Sequence, residues 1–91
     1  MPIAEEEWIK WMKEEHMHEV VATGMFDSFS FFELLEPQDE EGKTFVAQYF
    51  TDSLERYQHY MDMHASQLRE KGFAKFGDQF IAFRSLLKKL D

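Results

Sequence analysis

Apolar residues first recur at helical spacing. Over residues 4–22, Trp8, Ile9, Met12, Val20 and Val21 form one stripe, which predicts a helix. Glu5, Glu6 and Glu7 stand at its start, where negative charge suits the helix dipole, and Gly24 ends it as a C′ residue. The period then changes to two. Residues 25–36 read as a strand with Phe29, Phe31 and Leu35 on one face and Phe32 and Leu34 on the other. A polar loop over 37–43 leads to a second strand at 44–50, so the two form a hairpin. Asp52 resembles an N-cap with Glu55 three residues on, opening a second helix over about 53–71 that Gly72 can close. The segment 79–87 is apolar. Its periodicity allows helix or strand, and the preceding Gly77-Asp78 with the aromatic β-formers favours strand.

The order α-β-β-α-β is that of a ferredoxin-like βαββαβ unit without its first strand. The expected fold is α+β, one domain over residues 1–91, an antiparallel sheet with two helices on one face. All three strands carry apolar groups on both faces: Phe45, Ala47 and Tyr49 against Val46 and Phe50, Phe80 and Ala82 against Ile81 and Phe83. Two helices cover one face, and soluble monomers avoid a large exposed apolar patch. In a ferredoxin-like sheet the first strand lies between the third and fourth, so its absence leaves edges at 44–50 and 79–87 that invite pairing. The last strand can cross over to 44–50, pair with a neighbour, or turn helical. The expectation is a homodimer or higher oligomer, strand-swapped, with Phe80, Ile81 and Phe83 at or near the contact. A short second face that is only patchily apolar is the alternative.

Composition narrows the function classes. The chain has 91 residues, no cysteine and a formal net charge of −8, with 18 acidic against 10 basic side chains. Disulfides and thiolate metal sites are excluded. An acidic domain repels phosphate backbones and anionic bilayers, so neither nucleic acid nor membrane is an expected partner. No apolar run is long enough to span a bilayer, and the acidic start does not resemble a signal peptide. A cytoplasmic location is expected. Aromatic residues make up 16%, which favours a packed or self-associating protein over a disordered one.

Several runs resemble a bacterial family of small domains of unknown function, related in fold to the dimeric α+β barrels. They are Glu6 to His16, Ala22-Thr23-Gly24, Gln48-Tyr49, Asp52-Ser53-Leu54, His64-Ala65 and Phe76 to Arg84. Together they cover most of the chain. The resemblance implies a ferredoxin-like fold and carries over no activity. Relatives begin with a further strand that is lacking here, and often have proline where this chain has His18.

Chemistry can sit in few places. A helical wheel puts His16 in the arc of Trp8, Ile9, Met12 and Val20, and His64 in that of Leu54, Tyr57, Met61 and Leu68. Each helix thus turns one histidine towards the sheet, where it can titrate near neutrality and act as acid, base or donor. A satisfied core histidine is the more economical reading, because burial alone makes no site. Arg84 lies in an apolar strand and needs a partner: Glu33, solvent, or a substrate carboxylate in a cleft beside His64. Trp8 and Trp11 suit a pocket wall or, more simply, core packing. Met12, Met17, Met25, Met61 and Met63 read as adaptable packing residues. The candidate ligand-binding residues are therefore His16, His64, Tyr57, Arg84 and Trp8.

No metal or cofactor is expected. His16 and His18 diverge on a helix. Glu15-x-x-His18 has no second copy, and Glu55 with His59 supplies two ligands only. The four glycines form no phosphate loop, and no serine stands in a Gly-x-Ser-x-Gly context. Two function classes stay open: a homodimeric small-molecule-binding or protein-interaction module, and a cofactor-independent oxygenase or isomerase, the latter on fold analogy alone.

Overall fold

The computed structural model describes residues 2–37, 42–77 and 82–91. Helix α1 (Pro2–Trp11) continues through a π-helical turn (Met12–His16) into α2 (Met17–Ala22). Strands β1 (Ser28–Glu33) and β2 (Phe45–Phe50) follow, then α3 (Leu54–Met63) and α4 (Ala65–Phe76). The protein is α+β: among the described residues, the continuous first helix, two further helices and a two-stranded antiparallel sheet.

The first helix ends as its sequence predicts. Gly24 has φ +83°, its N–H donates to the Val21 carbonyl at 3.0 Å, and the Thr23 hydroxyl donates to the Val20 carbonyl at 2.7 Å. The hairpin register pairs Phe29 with Tyr49, Phe31 with Ala47 and Phe32 with Val46. Alternation therefore puts Phe29, Phe31, Phe45, Ala47 and Tyr49 on one face. The first four of these except Phe45, together with Tyr49, pack against the buried cluster Trp11, Met12, Met17 and Phe76. A second cluster, Val20, Phe26 and Leu68, is flanked by Tyr49, Tyr57 and Tyr60. Tyr49 touches both, so the first helix and α4 share one face of the sheet. The opposite face is patchily apolar: Phe32 and Phe50 are about half exposed, with Ser28, Ser30 and Gln48 between them.

Three local expectations change. The N-cap of α3 is Ser53, not Asp52. Its backbone is extended (φ −142°, ψ 129°) and its hydroxyl accepts the Arg56 N–H at 3.2 Å, the geometry a cap requires. Asp52 instead binds the Arg56 side chain at 3.0 Å. The expected helix over 53–71 is two helices that meet at His64, whose φ of −124° departs from helical values. Gly72 does not close it; α4 runs on to Phe76 with Gly72 buried in it, and Gly77 stops it at φ +62°, ψ −133°.

The last element also differs. Residues 78–81, and with them Gln79, Phe80 and Ile81 of the expected strand, lie outside the described residues, as do 38–41 of the polar loop. Residues 82–91 have no regular secondary structure and are exposed throughout. Among the described residues no third strand joins the sheet. The Cα radius of gyration, 13.8 Å, exceeds the roughly 12 Å of a compact domain of this length. A strand is stable only when its backbone groups find partners, and among the described residues none is paired with this segment.

Gly77 sits where a side chain strains the backbone, although a Cβ there meets nothing within 4 Å. Gly77→Ala is therefore expected to cost about 2 kcal/mol through backbone strain alone. The urea midpoint measures this, and an unchanged midpoint would show that the turn relaxes.

Candidate functional site

The π-helical turn organises the first helix. The Met17 N–H donates to the Met12 carbonyl, a five-residue step instead of four. Residues five apart thereby come to one side. Met12 and Met17 are both buried, Met17 completely. Trp11 and His16, also five apart, stack with ring centroids 4.6 Å apart and planes at 24°. Phe76 of α4 meets Trp11 edge-on at 5.5 Å, locking the indole from the other element. Single π-turns often mark functional positions.

His16 is half-buried, and its Nδ1 has no hydrogen-bond partner among the described residues. Burial pushes its pKa below the usual imidazole value; Glu19 pulls it back up and Lys71 lowers it further. Glu19 and Lys71 form an ion pair at 2.5 Å, joining α2 to α4. The depressed pKa means that the unfolded chain takes up the proton more readily than the folded one. The neutral ring's contribution to stability is thus present above about pH 6.5 and lost as pH falls through the folded-state value. His16→Phe should flatten the fall of the urea midpoint between about pH 7 and pH 5. An identical slope in both proteins would assign the acid sensitivity to other groups.

Beside this pair runs an open groove of about 280 Å³ between α2 and α4, lined by Glu19, Thr23, His64, Gln67, Leu68 and Lys71. His64 enters it from the junction of α3 and α4, with the His59 ring 5.7 Å and the Tyr60 ring 6.2 Å away. Of the five candidate site residues, His64 lines the groove. His16 lies within electrostatic reach of its Glu19–Lys71 pair. Tyr57 packs on the Val20–Phe26–Leu68 cluster. Trp8 packs on the sheet between Phe31 and Phe45, at 5.8 and 5.5 Å. Arg84 stands in the exposed C-terminal segment. Its charge reaches Tyr60, and it belongs to no ion pair among the described residues, so of the alternatives the bond to Glu33 is not made and the side chain is exposed. Burial raises the Tyr60 pKa, and Arg69 and Arg84 oppose that rise.

Tyr49, at the junction of the two clusters, has its hydroxyl pushed upward by burial, and nearby Tyr60 adds to the rise. It stays protonated in any physiological range. Its oxygen and that of Thr51 are buried without hydrogen-bond partners among the described residues. This combination suits packing and offers no base.

A polar clamp lies outside the sequence-based candidates. Arg56 of α3 donates to both carboxylate oxygens of Asp27, at 2.9 and 3.2 Å, to Asp52 at 3.0 Å and to the Gly24 carbonyl at 2.8 Å. It ties the end of the first helix and the start of the hairpin to α3. The Arg56 hydrogen bond holds the Asp27 carboxyl below its ordinary range. The sequence signal was Asp52 and Arg56 at i, i+4; the pairing with Asp27 needed the fold.

Among the described residues, no three His, Asp or Glu side chains gather as metal ligands, and no helix is long and apolar enough to cross a membrane. No curated protein and no solved structure matches the chain. The family model described as Domain of unknown function (DUF4286) matches residues 2–90, which is nearly the whole chain, and the protein belongs to that family.

Proposed function

We propose that this protein is a homodimeric protein-interaction module of the cytoplasm, built on a ferredoxin-like frame. The observation that carries this is the apolar surface of the single chain. Phe32 and Phe50 on the outer sheet face, and Phe83, Leu86, Leu87 and Leu90 in the C-terminal segment, are all more than two-fifths exposed. So many large apolar groups in a 91-residue chain call for a covering surface. A second copy supplies one by symmetry.

Small-molecule binding is a second reading, favoured by the groove at His64. Its volume of about 280 Å³ falls just below the range of roughly 300–1,000 Å³ typical of ligand pockets. Its lining mixes Lys71, Glu19, Gln67 and Thr23 with Leu68, which suits a small polar ligand. The enzyme reading has less support, since Arg84, Tyr57 and Trp8 do not line this groove.

Native mass spectrometry of the protein from its own host tests both readings. The expected species has twice the 11.0 kDa chain mass. A retained small molecule whose binding is lost in His64→Ala would establish the second reading. A monomer that persists at high micromolar concentration would overturn the first.

A further inference from the structure

We infer that the C-terminal segment of one copy adds as a strand to the free edge of β2 in a second copy, reciprocally. The inference rests on the self-association reading and goes further by naming the two surfaces that meet. β2 pairs with β1 along one edge, and among the described residues its other edge has no strand beside it. Such an edge presents a row of N–H and C=O groups that accept an added strand. Ala82 to Leu87 equal the six residues of β2 in length, about 20 Å when extended.

The side chains fit that placement. In an extended segment Phe83, Ser85 and Leu87 share one face, and Ala82, Arg84 and Leu86 the other. Phe83 and Leu87, exposed at 94% and 78%, then extend the inner row formed by Phe45, Ala47 and Tyr49. Arg84 is left on the opposite face, away from the inner apolar row. Charge favours the same occupant. Arg84, Lys88 and Lys89 stand against Asp91 alone in this segment, within a chain of 18 acidic and 10 basic residues. The basic tail of one copy is drawn to the acidic body of another. The single chain leaves the segment outside its own sheet after the turn at Gly77, whereas a reciprocal exchange closes two edges at once.

The chain contains no cysteine, so a double variant, Gln48→Cys with Ala82→Cys, both on the outer face in this placement, reports the contact. Isotope-labelled and unlabelled double variants are unfolded together, refolded, treated with a short bis-maleimide and read by mass spectrometry. Mixed-isotope cross-links between positions 48 and 82 are expected. Cross-links confined to one isotope would place the segment on its own sheet and overturn the inference. A dimer without any 48–82 cross-link would also overturn it and leave the interaction module standing; a monomer would remove both. Independently, Phe83→Asp with Leu87→Asp should weaken self-association by roughly tenfold or more in sedimentation, and an unchanged dimer constant would count against the exchange.

Discussion

Trp11→Ala is expected to destabilise the folded chain by about 4 kcal/mol, within the range for removing a large buried aromatic. The indole is 8% exposed and lies between the His16 ring on its own helix and Phe76 on α4. Its loss opens a cavity where the first helix, α4 and the sheet meet. Domains of this size hold only about 5–15 kcal/mol in total, so the variant should be close to half unfolded in mild urea. Trp11→Phe keeps an aromatic face and should lose much less. The His16 imidazole, no longer sheltered by the stack, should titrate closer to the ordinary value. A Trp11→Ala protein with a wild-type urea midpoint would show that the cluster repacks around the gap.

The second large effect separates two single-residue deletions. Deleting Glu14, an exposed residue within the π-turn, converts a five-residue step into a four-residue one. The helix faces on either side keep their orientation, because an α-turn then spans the same arc. Such a protein should fold with a stability change within about 1 kcal/mol. Deleting Lys10, in the regular part of α1, instead rotates Trp8 by about 100° relative to Trp11. Trp8 would leave Phe31 and Phe45, at a cost of about 3 kcal/mol. Urea unfolding of the two variants measures the contrast. Equal losses would mean that the π-turn is not a one-residue insertion in an otherwise continuous helix.

The hairpin shows how much was legible. Period-two alternation from Phe29 to Phe32 and from Phe45 to Phe50 predicted both strands, and their observed register keeps Phe29, Phe31, Ala47 and Tyr49 on the helix-facing side. Such a pattern is visible in sequence because each strand residue's face follows from its parity alone. The Gly24 stop was legible for a similar reason, since a positive φ favours glycine. The candidate site was legible only in part. His64 was placed near a groove, but Glu19 and Lys71, which share that groove, are 52 positions apart and meet only when α2 lies beside α4.

The sequence by itself determined the types of the first four elements, the apolar stripes and the acidic charge, all of which depend on neighbours along the chain. Tertiary structure decided the rest. A uniform 100° wheel could not foresee the π-turn that brings Trp11 onto His16 and buries Met17, although the five-residue spacings of Met12 to Met17 and Trp11 to His16 were its local traces. Nor could local pattern settle residues 82–91. Their apolar content allows a strand, yet a strand forms only where another backbone satisfies its N–H and C=O groups, and that partner is a matter of the whole fold.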